Sequence, residues 1–181
     1  MGLWAADMPD TLTSLPDLSR IAAGLGDAVV ETVVAHGEVT LVTTRERIVE
    51  TLTSLRDQQQ FEMLVDETCV DYYPKEPRFA IVYQLNSLSR RLRLRVKVFL
   101  SEYDKVIPTA TGVYASANWL EREIYDLFGV TFDGHPDLRR ILMPAGYEGH
   151  PLLKEVPVTV EEVAFSFNRR RIDADKPYAR E

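Results

Sequence analysis

One stretch of the sequence alternates strictly between apolar and basic side chains. Arginine or lysine occupies positions 91, 93, 95 and 97, and the apolar residues between them are Leu92, Leu94, Val96 and Val98. Because successive side chains of a strand point to opposite faces of a sheet, this period of two predicts a strand with one buried and one polar face. Sheets with one solvated face are typically antiparallel, so the alternation predicts an antiparallel sheet.

Four further segments have strand patterns. Residues 29–34 and 38–42 are joined by a short linker in which Gly37 can supply the positive φ of a tight turn. The other two strands are predicted from alternating apolar residues, which are Phe61, Met63 and Val65 in one and Phe79, Ile81, Tyr83 and Leu85 in the other.

Three helices are predicted from apolar residues at helical spacing. Pro16 can open the first helix, and Gly24 and Gly26 end it. Thr43 and Glu46 have the spacing of a capping box ahead of the second helix, and Gly129 suits a left-handed cap after the third. The apolar faces are Leu18, Ile21, Ala22 and Leu25, then Ile48, Val49, Leu52 and Leu55, then Leu120, Ile124, Leu127 and Phe128. The order α-β-β-α-β-β-β-α predicts an α+β two-layer domain with a mostly antiparallel sheet.

The composition changes after Gly129, where periodicity ends and five of the ten prolines occur. Prolines limit ladder and helix formation, yet many apolar residues remain in this part of the chain. We therefore predict a flexible N-terminus at residues 1–13, an α+β domain at 14–129, and an extended segment at 130–181 that becomes ordered by wrapping a partner.

Charge and cysteine content narrow the classes of function. The net charge of −7 disfavours nucleic-acid binding, and the basic positions 90–97 lack interleaved aromatic residues, so we predict a solvated or partner-facing sheet surface there. One cysteine, Cys69, cannot supply the thiolates of an iron–sulfur cluster, and no phosphate-binding glycine loop occurs.

No apolar run approaches the ~20 residues of a membrane span. Membrane contact is therefore expected only through partners.

Two strings after residue 120 contain the same Gly-His-Pro tripeptide, at residues 134–136 and 149–151. Proline biases the preceding residue toward extended backbone, and glycine lets the chain bend just ahead of the histidine. Each histidine is therefore predicted to lie on an irregular, extended backbone, which is typical of a chain that clamps onto another surface.

Charged residues on the third predicted helix admit two interpretations. By residue type alone they indicate a solvated face with an Arg122–Asp126 pair at i,i+4; the set is Glu121, Arg122, Glu123 and Asp126. A freestanding metal-dependent or acid–base enzyme would have to use His135, His150, Glu121 and Glu123. The two glutamates face apart on a helix, and metal sites need three or four convergent ligands, so we favour a structural role.

Both strings resemble the signature of the 30-kDa subunit family of respiratory complex I, the proton-pumping NADH–quinone oxidoreductase, whose bacterial members are termed the C subunit. The resemblance continues upstream through Asp71, Tyr72, residues 79–88 and Trp119. The family usually has Arg-Lys-Asp and an aromatic residue after His-Pro-Leu, where this sequence has Leu153, Lys154, Glu155 and Val156. The matching residues are Glu121, Arg122, Glu123 and residues 125–129, 134–142 and 149–152.

The resemblance implies a non-redox structural subunit of the peripheral arm of the complex. Such a protein packs on the large subunit that helps form the quinone site and on a neighbouring iron–sulfur subunit. It supports electron transfer from NADH through FMN and iron–sulfur centres to quinone, coupled to proton translocation. FMN and the iron–sulfur clusters lie in partner subunits, so this chain is expected to hold no cofactor and no catalytic centre.

The resemblance also implies a location and an interface. The chain is expected on the cytoplasmic side of the cell inner membrane, or on the matrix side in a mitochondrion. An equivalent subunit of a membrane-bound hydrogenase or a ferredoxin-linked complex is the alternative. The residues carried over as a partner interface are Glu121, Arg122, Glu123, Tyr125, Asp126, His135, Pro136, Asp137, Arg139, Arg140, His150, Pro151 and Lys154.

Overall fold

A computed structural model describes residues 20–144 and 146–156. Residues 20–24 are helical, as the sequence predicts, whereas the predicted start of that helix at Pro16 and the predicted N-terminus at 1–13 lie outside the described residues. The elements that follow are β1 (Val29–Ala35), β2 (Glu38–Thr43), α1 (Ile48–Asp57), β3 (Met63–Asp71), β4 (Phe79–Ser87), β5 (Leu92–Leu100), β6 (Val106–Pro108), α2 (Ala117–Phe128) and β7 (Thr131–Asp133).

Five strands form the main sheet, in the order β1-β2-β5-β4-β3. All neighbours are antiparallel except β2 and β5, which run parallel. The short strands β6 and β7 form a separate parallel pair. This arrangement confirms the predicted α+β class with a mostly antiparallel sheet. No helix within residues 20–144 and 146–156 has the length and apolarity to cross a membrane.

The strongest sequence patterns give the expected elements. The four apolar residues of the basic alternation are buried in β5, and every second residue from Phe79 to Leu85 is buried in β4. His36 and Gly37 both adopt positive φ, at 54° and 76°, between β1 and β2. A two-residue turn of this kind matches the twist of a hairpin.

The predicted buried face of β3 is wrong. Phe61 is buried, as expected, but it lies before the strand, and Met63 and Val65 are 45% and 53% exposed. Leu64 is buried instead, and the pairing with β4 shifts register between Leu64 and Asp66. Met63 is exposed ahead of this shift, so the buried face is opposite to the predicted one from the start of the strand, and the shift then brings Glu67 and Cys69 to the buried face.

Two details of the second predicted helix also differ. The capping box is absent, because the Thr43 hydroxyl donates to the carbonyl of Ala28 at 2.5 Å and the helix α1 starts only at Ile48. A short 3-10 turn occupies residues 45–47. Val49 is 36% exposed, whereas the other three predicted apolar residues of this face are buried.

The predicted boundary after Gly129 is not a break in packing. Gly129 ends α2 with φ 73°, as predicted, but Val130 and Phe132 are buried in the same core as the main sheet. Leu138 and Leu153 pack against that core from further along the chain. The folded unit therefore extends through residue 156. Wrapping of a partner by the segment after Gly129 stays a prediction, and residues 157–181 lie outside the described part.

We predict that Gly129→Ala destabilises the fold by about 2–4 kcal/mol, through left-handed strain and overpacking together. A Cβ at Gly129 would stand 2.6 Å from the His150 ring. Urea unfolding of the full chain measures this loss.

The matched control is Gly26→Ala. Gly26 also has positive φ, but its Cβ would meet no atom within 4 Å, so this variant reports the left-handed strain alone, about 1 kcal/mol. Equal losses in the two variants would show that the approach of His150 to Gly129 contributes nothing.

Candidate functional site

Helix α2 buries two of the carboxylates that were predicted to face solvent. Glu121 and Asp126 are both 0% exposed, whereas Glu123 is exposed. The predicted Arg122–Asp126 pair does not form. Arg122 instead donates from Nε to the carbonyl of Arg139 at 3.1 Å. The solvated-face interpretation is therefore wrong for Glu121 and Asp126, which find donors outside their own helix, whereas Glu123 is exposed as that interpretation expects.

The Asp126 carboxylate organises the chain that follows β7. Its Oδ2 accepts the backbone N–H groups of Ile141, Leu142 and Met143 at 3.1, 2.8 and 2.8 Å. Its Oδ1 accepts Nη1 of Arg140 at 2.7 Å. One side chain thus provides the acceptor for three successive main-chain donors that no strand or helix satisfies.

These donors also determine the charge state of Asp126. Burial acts to raise the pKa of Asp126, but the three N–H donors and Arg140 outweigh it, so the pKa lies below its usual value. Asp126 is therefore an anion held by four charge-assisted hydrogen bonds, each shorter and stronger than a neutral one.

Arg140 connects the first Gly-His-Pro string to the second. Besides its bond to Asp126, its Nη2 donates to the carbonyl of Gly149 at 2.9 Å. Its guanidinium carbon lies 5.9 Å from the centre of the Tyr147 ring, within cation–π range. The planar fork of arginine can serve both a carboxylate and a carbonyl, which a lysine would do less well.

His150 fastens the second string to the end of α2. Its Nδ1 donates to the carbonyl of Asp126 at 2.9 Å, and its ring meets Tyr125 edge-on at 6.2 Å. The next turn is held by the N–H of Leu152, which donates to the carbonyl of Leu127 at 3.1 Å. His150 and Leu152 therefore satisfy orphan carbonyls of the kind that every helix C-terminus leaves.

The last described residues are bound at the far end of β3. The N–H of Lys154 donates to Oδ2 of Asp71 at 3.0 Å, and Glu155 pairs with Arg78. Arg78 is nearly completely buried and donates to both oxygens of Asp71, at 2.9 and 2.8 Å. These bonds lower the pKa of Asp71 to about 2. Arg78 and Glu155 were not predicted as functional residues. They are 77 residues apart in the sequence, and no local pattern indicates that they pair.

His135 binds the opposite end of α2. Its Nε2 donates to the carbonyl of Asn118 at 3.1 Å, and its Nδ1 accepts the N–H of Asp137 at 3.0 Å. Its Nε2 lies 3.9 Å from Oε2 of Glu121. Glu121 in turn accepts the N–H of Ala110 at 2.6 Å and the hydroxyl of Thr109 at 2.5 Å. His135 and Glu121 thus join the β6–α2 loop to the first Gly-His-Pro string.

Glu121 belongs to a second buried cluster, which was not predicted from the sequence. Burial raises the pKa of Glu121 to about 7, although its two donors act in the opposite direction. Glu67 on β3 and Tyr83 on β4, which are register partners, lie buried nearby. Burial is the largest cause of the raised pKa values of Glu67 and Tyr83, and the negative charge of Glu121 raises both further.

The four residues of the alternative enzyme do not form one site. His135 lies at the start of α2, His150 lies beyond its end, and Glu123 is exposed. Across residues 20–144 and 146–156, no group of three or more His, Cys, Asp or Glu side chains is arranged to hold a metal ion. A metal-dependent reaction built on these four residues is therefore inconsistent with the geometry.

The segment that Asp126 and His150 organise presents apolar side chains to solvent. Leu142 is 59% exposed, Leu152 is 49% exposed and Ile141 is 38% exposed. Each extends from a backbone N–H that is bonded to the last turns of α2. The backbone of this segment is therefore held by hydrogen bonds to α2, and Pro136, Asp137 and Arg139 are also exposed along it.

We predict that Asp126→Asn lowers the free energy of unfolding by about 3 kcal/mol, because a buried, partnered charge is removed from its donors. The amides of Leu142 and Met143 should lose hydrogen-exchange protection. The stabilisation from the lowered pKa of Asp126 is present above the ordinary aspartate pKa and is lost as pH falls, so the variant should respond less to acid below about pH 4.

The control for this change is Asp137→Asn, which breaks an exposed pair with Arg139 and should cost under about 0.5 kcal/mol. Unchanged protection at residues 142 and 143 in the Asp126 variant would contradict the organising role of that carboxylate.

Known proteins resemble this chain over most of its length. The family model described as respiratory-chain NADH dehydrogenase, 30 Kd subunit, matches residues 41–162. The chain is 45% identical over 166 residues to the C subunit of NADH-quinone oxidoreductase from Roseiflexus sp. (strain RS-1), covering 91% of this chain and 95% of the relative. It is 47% identical over 167 residues to the protein of the same name from Phenylobacterium zucineum (strain HLK1), covering 91% and 79%.

Two solved structures have the same fold. A trypsin-resistant fragment of Nqo5 superposes with a TM-score of 0.60 at 36% identity, over 68% of this chain and 98% of the fragment. A chain of the membrane-bound sulfane sulfur reductase, an archaeal respiratory membrane complex, superposes with a TM-score of 0.68 over 81% and 87%. Its 21% identity bears on the fold alone. By the extent of the family match and of the identity to these relatives, the chain belongs to the 30-kDa subunit family of respiratory-chain NADH dehydrogenase.

Proposed function

We propose that this chain is a structural subunit of the peripheral arm of NADH–quinone oxidoreductase. It binds the large subunit that helps form the quinone site, and a neighbouring iron–sulfur subunit. In that position it supports electron transfer from NADH to quinone, coupled to proton translocation, without taking part in redox chemistry. Family membership and the names of the relatives support the assignment.

The observation that carries the proposal is that Ile141, Leu142 and Leu152 are exposed on a backbone that is hydrogen-bonded to α2. All three side chains are exposed, and in this proposal they are the apolar residues that a partner covers. Because Asp126 and the end of α2 already hold the backbone around Leu142 and Leu152, this part differs from the predicted segment that becomes ordered on a partner, and binding would not have to order it. Such preorganisation lowers the entropic cost of association.

The thirteen residues carried over from the family have different roles in this proposal. Direct contact with a partner is assigned to those that are exposed, which are Glu123, Pro136, Asp137, Arg139 and Lys154. Shaping of the surface from partly covered positions is assigned to Arg122, Tyr125, His135, Arg140, His150 and Pro151. Glu121 and Asp126 are buried, and they act as positioning residues beneath the interface.

In this proposal the cofactors belong to the partners. FMN and the iron–sulfur clusters that carry electrons lie in other subunits of the complex. The chemistry of Cys69 supports this division, because its thiol is buried and burial raises its pKa to about 12. A thiol is a metal ligand only after it loses its proton, so Cys69 is poorly suited to bind a cluster.

The proposed location is the cytoplasmic side of the cell inner membrane, where protein contacts alone hold the chain. We predict that carbonate at alkaline pH releases it from membranes, since a chain bound through partners leaves when they dissociate. Immunoblotting of the pellet and the supernatant measures the release. Retention in the pellet, beside a released peripheral marker protein, would contradict attachment through protein alone.

The interface is tested by placing a charge on the apolar surface. We predict that Leu142→Lys and Leu152→Lys each lower co-purification with the large subunit about tenfold or more, because a buried charge replaces an apolar anchor. NADH–quinone reductase activity of the membranes should fall in parallel. The melting temperature of the isolated chain should change little, because both side chains already face solvent.

Leu88→Lys is the matched control. Leu88 is 63% exposed in the turn between β4 and β5, away from the organised segment, so this variant should assemble normally. Normal assembly of both surface variants would refute the proposed interface. Loss of assembly in the control as well would show that the substitution itself, rather than its position, is responsible.

A further inference from the structure

Arg78 lies buried just before β4, yet two of the three acids that bind it are half exposed. The exposed fraction of each side chain is 3% for Arg78, 1% for Asp71, 44% for Glu102 and 48% for Glu155. Asp71 accepts hydrogen bonds from Nε and Nη2 at 2.9 and 2.8 Å, and Glu102 accepts one from Nη1 at 2.8 Å. Glu155 accepts one from Nη1 at 3.2 Å and another from Nη2. Every N–H group of the guanidinium fork therefore has an acceptor.

The three acids come from different parts of the fold. Asp71 ends β3 and Glu102 follows β5, so both are attached to the main sheet, whereas Glu155 comes from much later in the chain. Without Glu155, Arg78 would keep three of its five hydrogen bonds and its buried counterion. The charge of Arg78 would stay compensated, and water could reach the N–H groups that the half-exposed Glu155 releases.

The last of these acids lies on a strap, which comprises residues 150–156 and forms turns rather than a helix or a strand. The first end of the strap is bound to α2, where the N–H of Leu152 donates to the last turn at 3.1 Å. Its second end is bound to β3, where the N–H of Lys154 donates to Oδ2 of Asp71 at 3.0 Å. Leu153 packs against the core between the two ends. The second end can therefore separate from the sheet while the first end stays bound.

We propose that Arg78 and Glu155 form a latch, which holds the second end of the strap closed and so positions Lys154 toward an acidic side chain of the large partner subunit. Lys154 is exposed, and its backbone is held by the carboxylate that also binds Arg78. Opening of the latch breaks the Arg78–Glu155 ion pair and leaves the sheet folded. An acidic partner group is the complement of the cation that Lys154 carries. The role of Lys154 rests on the proposed function, whereas the latch itself needs no partner.

Glu102 provides a matched control for Glu155, because both bind Arg78 and are about half exposed, but only Glu155 lies on the strap. In the full chain, Glu155→Gln should lower the hydrogen-exchange protection of the Lys154 and Val156 amides about fivefold, since charge-assisted bonds become neutral ones. Glu102→Gln should leave the protection of both amides unchanged. Glu155→Asp keeps the charge and should retain most of the protection.

Thermal unfolding distinguishes a latch from a part of the core. Glu155→Gln should lower the melting temperature of the full chain by less than about 4 °C, because the second end of the strap can open by itself. Asp71→Asn leaves Arg78 buried without its counterion, and it should lower the melting temperature at least about twice as far.

Co-purification tests the consequence for assembly. Glu155→Gln and Lys154→Ala should each lower the recovery of the large subunit about threefold or more, whereas Glu102→Gln should recover the native amount. Lys154→Ala keeps the backbone N–H that Asp71 binds, so the protection of this amide should stay unchanged in that variant. The two variants thus separate closure of the strap from contact with the partner.

Each outcome supports or overturns a stated step. Unchanged protection of the amides at positions 154 and 156 in Glu155→Gln, or an equal loss in Glu102→Gln, would overturn the latch. A melting temperature as low in Glu155→Gln as in Asp71→Asn would also overturn it, because Glu155 would then be part of the core. Loss of protection with normal co-purification would contradict the positioning of Lys154. Normal assembly of the variants that carry a lysine on the apolar surface would refute the proposed interface, yet it would leave these exchange and melting results unaffected.

Discussion

The carboxylate of Asp126 is the interaction on which the organisation of residues 139–152 depends. This stretch forms no ladder and no helix in its described residues, so its backbone donors need other acceptors. Burying a charge is costly, and here it is offset only because three N–H groups and Arg140 converge on one side chain. Removing any of these donors leaves the anion less compensated, so the segment behaves as one cooperative unit.

The same residue also extends its effect to the second string. Arg140 donates hydrogen bonds both to the Asp126 carboxylate and to the carbonyl of Gly149. The backbone carbonyl of Asp126 accepts a hydrogen bond from His150. His150 can reach this position only because Gly129 has no side chain. A left-handed glycine cap, a buried aspartate and an arginine thus act together, and each would be an ordinary feature without the other two.

The parts of the fold that depend on local periodicity could be predicted from the sequence. The β5 alternation is confirmed, because burial follows its spacing, and the end of α2 at Gly129 is confirmed as well. Of the predicted apolar face of α2, Ile124 and Phe128 are buried, whereas Leu120 and Leu127 are only partly buried. The predicted face of β3 is wrong because Phe61, from which the alternation was counted, lies before the strand, and the first strand residue, Met63, is exposed. The donors of Asp126 lie 14–17 residues away, a distance over which helical spacing carries no information.

Glu121 is different, because the sequence does contain a signal for its burial. It stands four residues after Ala117, three before Ile124 and seven before Phe128, all of which are buried. It therefore occupies the apolar stripe of α2, and its charge led to a solvent-facing assignment. A charged residue on an otherwise apolar stripe predicts either a buried partner or a neutral group.

The pKa values of the two buried carboxyl groups of α2 are thus shifted in opposite directions. Asp126 receives four donors, its pKa is lowered, and it stays ionised as a fixed structural centre. Burial raises the pKa of Glu121 to about 7, because its two donors offset only part of that effect. Burial acts on both carboxyl groups, and the four donors at Asp126 outweigh it, whereas the two donors at Glu121 do not. One end of α2 is consequently fixed over the usual pH range, while the other end retains a group whose charge can change.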